Sequence, residues 1–165
     1  MTSTTTMNEV STTVTGSSSG RFVRWLFLLL ILSGVGVSGY LSYVKFSDVP
    51  MICVSNGAFD CGLVQNSPYS ELFGVPIAYL GLATYLVILG LVVFQSRSSF
   101  LRENGTLLLF GVVFFAWIYS MYLVYIQAFV LRAFCNWCLA HEAIVTVMLV
   151  LVSIKLWNHL RSDEA

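Results

Sequence analysis

The sequence predicts an all-α integral membrane protein built as a bundle of four transmembrane helices. Hydrophobic residues make up 58% of its 165 positions and charged residues only 10%, which is far from the balance of soluble domains. The charged residues also leave four long stretches that carry almost none. Each stretch reaches the roughly 20 apolar residues that a helix needs to cross a hydrocarbon core of about 30 Å. A lipid membrane is therefore an expected partner.

The four spans follow one another along most of the chain. We place them at about residues 22–44, 75–95, 105–130 and 136–157. Together they define a membrane domain at 21–158. Residues 1–20 are rich in Ser and Thr and have little apolar surface to bury, so they are predicted to form a disordered tail. Residues 159–165 are predicted to form a short C-terminal tail.

Basic residues are distributed unequally between the two ends of the predicted bundle. Of the eight Lys and Arg residues, only Lys45 and Arg132 fall in the loops that follow the first and third spans. The others lie at the opposite ends of the spans: Arg21, Arg24, Arg97, Arg102, Lys155 and Arg161. Because Lys and Arg are retained on the cytoplasmic side, both termini are predicted to be cytoplasmic, with the loops at 45–74 and 131–136 facing outward. The net charge is 0 and the basic residues are scattered, so no nucleic acid partner is expected.

All four cysteines fall in these outward loops or at their membrane edge, where an oxidising compartment favours disulfides over metal thiolates. Cys135 and Cys138 form a C-x-x-C pair at the predicted start of the fourth span. Backbone N–H groups and the dipole at a helix N-terminus favour a thiolate and lower a cysteine pKa. The spacing also allows the Cα separation of about 5–6 Å that a disulfide requires. The pair is therefore a candidate for reversible oxidation.

The other pair lies in "CVSNGAFDC", where Asn56 and Gly57 favour a turn that lets Cys53 and Cys61 meet. We predict a flexible loop that exchanges disulfides with a protein partner and carries one of its cysteines to Cys135. Two other interpretations stay open at this point. The four cysteines could form two structural disulfides in a non-catalytic membrane protein, or a four-thiolate zinc site.

Four features together resemble the bacterial branch of the vitamin K epoxide reductase family. They are "CVSNGAFDC", Ser67 six residues after Cys61, "FGVPIAYLG", and "CNWC" opening the last span. The resemblance covers about residues 22–157. The DsbB-type oxidases have a similar general plan, but in them the C-x-x-C pair comes first and the second pair is wider. Here that order is reversed.

The resemblance implies a four-helix bundle that encloses a quinone, either menaquinone or ubiquinone. It implies that Cys135 and Cys138 are the active-site pair, and that Cys53 and Cys61 are the shuttle pair. The expected partner is a separate thioredoxin-like, DsbA-like periplasmic protein, whose electrons pass to the quinone in support of disulfide formation. The expected location is a bacterial inner membrane. Reduction of vitamin K quinone or its epoxide is the alternative reaction.

Ser67 matches the family serine that follows the second loop cysteine, where it would contact the quinone or hold the loop. A plain turn serine before Pro68 is the alternative interpretation. Ser70 occupies the position of a quinone-binding asparagine in the vertebrate enzymes. We include both serines among the predicted quinone-binding residues.

Two further quinone-site candidates lie inside the spans. Glu142 follows Cys138 by four residues, and an ionisable residue inside a membrane is a functional candidate by default. We predict that it transfers protons to or from the quinone, with help from His141; hydration or pairing with Arg132 is the alternative. Trp117 belongs to an aromatic stripe of the third span, which forms either a quinone wall or a helix-packing face.

Overall fold

The computed structural model describes residues 9–53, 57–95, 97 and 99–163. Within its helices, the side chains at 9–20, 99, 102–103 and 162–163 are outside the description. Four long helices dominate: α1 (Glu9–Ser47), α3 (Ile77–Phe94), α4 (Ser99–Tyr125) and α5 (Asn136–Asp163). A short helix, α2 (Cys61–Gln65), precedes α3. All four long helices are long and apolar enough to cross a membrane, which confirms the predicted fold class.

The helices form a closed ring in which α1 packs on α3 and α5, and α4 packs on the same two helices. Their shared core contains apolar side chains from all four: Phe27, Ile31, Tyr85, Ile88, Leu109, Val113, Val145, Met148 and Val152. Large apolar residues also cover the outside of the bundle, where a soluble protein would carry polar ones; examples are Leu32, Leu86, Phe115 and Val150. The protein is therefore a multi-pass membrane protein.

Small residues allow α1 and α3 to approach closely. A Cβ atom at Gly34 would overlap with the ring of Tyr85, and one at Gly81 would lie 3.4 Å from Ser38 Oγ. Bundles in lipid depend on such close backbone packing because no hydrophobic force drives helices together there. The α1–α3 contact thus creates the space that the Tyr85 ring occupies.

The segment between α1 and α3 departs from the all-α prediction. After α2 comes a single 3-10 turn (Pro68–Ser70), and then a small hairpin pairs β1 (Glu71–Leu72) with β2 (Val75–Pro76). Phe73 and Gly74 make its tight turn with φ values of 51° and 81°. A two-residue hairpin turn needs positive φ at its central positions, which glycine adopts without strain. Lys45 at the end of α1 pairs with Glu71 over 3.5 Å and so ties the hairpin to the bundle.

The helices also extend beyond the predicted spans. α1 begins at Glu9, so the helix includes residues 9–20, which we predicted as disordered, while residues 1–8 lie outside the described part. α5 continues to Asp163 and takes in most of the predicted C-terminal tail. Extending an existing helix adds one hydrogen bond for each residue that is ordered, which explains both extensions. The third span ends in a π-helical turn at Ile126–Leu131 instead of ending as regular helix.

Candidate functional site

All four cysteines meet at one end of the bundle. Cys53 and Cys61 are joined by a disulfide with a Cα–Cα distance of 6.2 Å, whereas Cys135 and Cys138 are free thiols. Cys61 and Cys135 belong to one buried cluster with Val64 and Ala133, and Cys53 and Cys138 pack against it. A disulfide and a dithiol are thus in the same apolar cluster.

The loop before Cys61 is attached to the chain before Cys135. Asp60 N–H donates to Phe134 O over 3.1 Å, and Phe134 N–H donates to Ala58 O over 2.9 Å. The Asp60 side chain then caps α2 by accepting from Leu63 N–H at 2.9 Å. Cys61 is the first residue of that helix. We expected a flexible loop here, but paired backbone groups hold residues 58–60 in place; residues 54–56 lie outside the described part.

A second set of contacts holds the chain before Cys53. Trp137 Nε1 donates to Ile52 O over 2.8 Å, and Ile52 N–H donates to the Tyr40 hydroxyl over 3.1 Å. The rings of Tyr40 and Trp137 lie 4.7 Å apart. Cys53 Sγ is 3.8 Å from Asn136 Oδ1. Both residues between the thiols of the C-x-x-C pair therefore contact the segment at residues 52–53.

Cys135 sits at the N-terminus of α5 and its sulfur acts as the cap. Cys135 Sγ accepts from Cys138 N–H at 3.4 Å, while Cys135 O accepts the first helical bond from Leu139 N–H at 3.0 Å. A hydrogen bond from the Cys138 thiol lowers the pKa of Cys135 to about 7; the N–H groups of Cys138 and Trp137 and the Gln65 side chain act in the same direction against burial. The predicted acidifying effect of the helix N-terminus is therefore present.

Gln127 is a buried polar residue that the sequence analysis missed. Its side-chain Oε1 accepts from Cys135 N–H at 2.9 Å, and its backbone carbonyl accepts from Ala133 N–H at 3.1 Å. The π-helical turn places both groups towards the chain that returns to α5, helped by the left-handed φ of 50° at Arg132. A glutamine near the end of an apolar span was the available signal, because buried amides in a membrane need partners.

A cavity of about 760 Å³ opens beside Cys138. Its wall is mostly apolar and comes mainly from α3 and α4, with contributions from α1, α2 and α5. The polar residues on the wall are Ser38, Gln65, Ser67, Tyr69, Ser70, Thr84, Tyr85, Tyr119, Ser120, Gln127 and His141. Cys138 is the only cysteine on this wall among the described residues. The cavity has the size and apolar character of sites for small organic ligands.

The predicted residues Ser67 and Ser70 both line this cavity, but their hydroxyls are engaged locally. Ser67 Oγ donates to Val64 O and Ser70 Oγ donates to Ser67 O, each over 2.8 Å. These bonds hold the turn between α2 and the hairpin. The serines therefore shape the outer end of the cavity, and their oxygens keep lone pairs that can accept a further bond.

Glu142 lies behind the cavity, between α4 and α5, and is not part of its wall. It is buried and accepts hydrogen bonds from Ser120 Oγ and, at 3.0 Å, from Thr146 Oγ1. Within the described part of the chain, Glu142 makes no ion pair with Arg132. Ser120 does line the cavity, so its hydroxyl connects Glu142 with that space.

Trp117 also lies outside the cavity wall. Its Nε1 donates to Thr146 Oγ1 over 3.1 Å, which places it at the far end of the same hydrogen-bonded chain. Its ring continues a stack in which Phe110 and Phe114 are 5.5 Å apart and Phe114 and Trp117 are 6.5 Å apart. The cavity uses other residues of α4, including Ala116 and Tyr119. The position of the stripe favours helix packing over a ligand wall.

Comparison with known proteins agrees with this arrangement. Residues 25–153 match the sequence model of the vitamin K epoxide reductase family, which takes in all four helices and all four cysteines. The chain is also similar to thiol-disulfide oxidoreductase LTO1 of Arabidopsis thaliana, with 30% identity over 123 residues, or 72% of this chain and 32% of the plant protein. It therefore spans about a third of that relative. This chain belongs to the vitamin K epoxide reductase family.

Proposed function

We propose that the protein is a membrane thiol:quinone oxidoreductase that supports disulfide formation. It would take electrons from a thioredoxin-like, DsbA-like dithiol protein and pass them to menaquinone or ubiquinone. One observation carries this proposal: the Cys53–Cys61 disulfide packs against a free C-x-x-C pair whose second thiol, Cys138, lines an apolar cavity. Two purely structural bridges would not require an open dithiol beside a ligand-sized cavity.

Exposure distinguishes the two sulfurs of the shuttle pair. Cys53 is partly exposed, whereas Cys61 is buried in the cluster that contains Cys135. In our proposal the partner thiolate attacks Cys53, forming a mixed disulfide and releasing the Cys61 thiolate. The partner's second thiolate then attacks its own bridged sulfur, which oxidises the partner and leaves Cys53 and Cys61 reduced.

The buried sulfur then passes the electrons inward. Cys61 as a thiolate attacks Cys135 of the oxidised inner pair, and Cys138 leaves as the thiolate. Cys53 next attacks Cys61, which restores the shuttle disulfide and leaves Cys135 and Cys138 reduced, as they are in the structure. The Cys135 pKa of about 7 favours this exchange, because a sulfur with a low pKa is a good leaving group, and Cys135 is the sulfur released when Cys53 attacks Cys61.

The residues around the cavity fit a quinone. The cavity wall is largely apolar, and the buried hydroxyl of Tyr85, which belongs to this wall, has no hydrogen-bond partner. Buried polar atoms in membrane proteins are normally satisfied, so this hydroxyl suits a ligand that carries a carbonyl oxygen. A bound quinone would accept two electrons and two protons as the Cys135–Cys138 dithiol closes to a disulfide. The protein's part is to position the ring at Cys138 and to exclude water.

The same reaction gives Glu142 a role in proton transfer. Its bond from Ser120, which lines the cavity, provides a hydrogen-bonded route between the carboxyl group and a ligand. Ser120 can relay a proton because a hydroxyl both donates and accepts. Glu142→Gln keeps the size of the side chain but removes the exchangeable acid. We expect a lower rate of quinone reduction and an altered pH profile; unchanged rates at every pH would exclude this role.

The proposed location is a bacterial inner membrane with both termini in the cytoplasm. The unequal distribution of Lys and Arg supports this orientation, in which all four cysteines would lie on the outer face. An oxidising compartment on that face would supply the dithiol proteins that the reaction needs. Cysteine labelling of intact cells with a membrane-impermeant maleimide after reduction would test the sidedness, with a cysteine introduced at Ser162 as the cytoplasmic control.

The central test mixes the purified protein in detergent with a reduced thioredoxin-like dithiol protein and a soluble quinone. Quinone absorbance is followed for the wild type, Cys138→Ala and Cys61→Ala. We expect turnover by the wild type and loss of turnover in both variants, with melting temperatures close to that of the wild type. If a folded wild type showed no turnover, and if both replacements only lowered the melting temperature, the cysteines would have structural roles.

A further inference from the structure

Tyr85 carries the one buried side-chain oxygen or nitrogen that lacks a hydrogen-bond partner in the described part of the chain. The residue lies in the middle of α3 and is 2% exposed. A hydroxyl in such a position has lost its contacts with water without gaining others, which is costly in an apolar interior. No pattern along the chain distinguishes it from the other seven tyrosines.

The ring of Tyr85 is held firmly in its place. It lies over Gly34 of α1, where a side chain of any size would overlap with the ring atoms. On another side it packs edge-on against His141 of α5, with 5.5 Å between ring centroids. Three helices thus meet around this tyrosine. The lack of a side chain at Gly34 on α1 and the ring of His141 on α5 determine where the hydroxyl lies.

Tyr85 and Cys138 belong to the same cavity, and His141 lies on the helix that carries Cys138 and packs against the Tyr85 ring. All three residues line the cavity wall. His141 follows Cys138 by three residues, so it lies on nearly the same face of α5, about 4.5 Å further along the helix axis. Cys138 and Gln65 thus form a polar group towards the cysteine end of the cavity. Tyr85 and His141 form a second polar group deeper in the bundle.

On the basis of the proposed function, we propose that the Tyr85 hydroxyl donates a hydrogen bond to a carbonyl oxygen of the bound quinone. A quinone ring of the 1,4 type carries carbonyl oxygens at opposite ends, which matches a cavity with two separated polar groups. The ring would lie between them, with its reactive edge at Cys138. Tyr85 is then a binding residue that positions the ring for electron transfer from the dithiol.

The test uses Tyr85→Phe, which removes only the hydroxyl. Tyr79→Phe is the matched control, because Tyr79 lies on the same helix but outside the cavity wall. The probe is menadione labelled with ¹³C at its carbonyls, added to protein with both cysteine pairs oxidised so that no electrons flow. Infrared spectroscopy reports the hydrogen bonding of the bound carbonyls, titration reports affinity, and a thermal melt without menadione reports stability.

We expect one carbonyl band of bound menadione to move to the frequency of a free carbonyl in Tyr85→Phe. Affinity should fall by about 2- to 10-fold, the range for one hydrogen bond. The melting temperature without menadione should stay the same or rise, since the lost hydroxyl had no partner. The control should change neither the band nor the affinity.

The outcomes separate this inference from the proposed function. A wild-type protein that binds no quinone would overturn both. A wild type that binds menadione, with the same carbonyl band in Tyr85→Phe, would overturn the inference alone. Unfolding of Tyr85→Phe would do so too, because it would mean that the hydroxyl serves the fold.

Discussion

The indole N–H of Trp137 donates to the backbone carbonyl of Ile52 over 2.8 Å. Trp137 lies between the two thiols of the C-x-x-C pair, and Ile52 directly precedes Cys53. The bond therefore joins the Cys135–Cys138 pair to the segment that carries Cys53. Together with the backbone hydrogen bonds between Phe134 and residues 58–60, it keeps the two cysteine pairs next to each other at one end of the bundle.

Trp137→Phe should slow electron transfer between the pairs. Phenylalanine keeps an aromatic ring against Tyr40 but cannot donate to Ile52, so the chain before Cys53 loses one anchor. We expect a reduction of about 2- to 10-fold in the rate of exchange between the pairs, which corresponds to one hydrogen bond. Rapid mixing with a reduced dithiol partner would measure it. Trp157→Phe is the control, because Trp157 is 69% exposed near the far end of α5; equal rates in the two variants would argue against the anchor.

Cys135 should titrate near neutral pH. Its thiolate should form as the pH rises through about 7, so the ultraviolet thiolate absorbance should increase around that pH when the inner pair is reduced. The Cys138 thiol is the largest cause of the lowered pKa, and Cys138→Ala should therefore move the midpoint upward towards the usual cysteine value of about 8.5. A midpoint that does not move would show that the backbone N–H groups and the Gln65 side chain lower the Cys135 pKa without the Cys138 thiol.

Gly34→Ala should destabilise the bundle. Its methyl group would meet the Tyr85 ring, which His141 confines on another side, and overpacking of this kind costs about 1–3 kcal/mol. Unfolding in mixed detergent micelles would measure the loss. Gly36→Ala offers the comparison, because nothing lies within 4 Å of a Cβ at that position. The clash explanation also requires that Tyr85→Ala restores part of the stability of Gly34→Ala.

Asp60→Ala should loosen the start of α2 and with it Cys61. The Asp60 carboxylate accepts from Leu63 N–H, and loss of such a cap costs about 1 kcal/mol. The Cys53–Cys61 disulfide should then be reduced more easily, which a titration against a glutathione redox buffer would detect. Asp60→Asn retains an acceptor at the cap and should behave like the wild type. Equal reduction of all three proteins would mean that the cap does not affect the disulfide.

Much of the architecture was readable from the sequence because a membrane imposes a simple requirement. A span must be long and nearly free of charge, so four such stretches predicted four helices, and the bounds differ from the structure mainly at their ends. The cysteines could be assigned to one end of the bundle for the same reason, since the order of the spans determines which loops lie together. Neither inference needed knowledge of side-chain contacts.

The direction of side chains inside the bundle could not be read in this way. Glu142 follows Cys138 by four residues and was predicted to face the quinone with it, yet His141, three residues after Cys138, lines the cavity instead. Successive residues of a helix point about 100° apart, so positions three and four residues away lie on opposite sides of the Cys138 direction. Which of them faces a ligand depends on where the neighbouring helix packs.

Hydropathy and spacing along the chain were enough to predict the membrane fold, the two cysteine pairs and their common end of the bundle. Three other features became visible only in the folded chain: Gln127 accepts from Cys135 N–H, Ser120 links Glu142 to the cavity, and the Tyr85 hydroxyl has no hydrogen-bond partner. Each of these depends on contacts between residues on different elements or on either side of a turn. Such contacts depend on how the helices rotate and pack against one another, and no local pattern in the chain encodes that rotation.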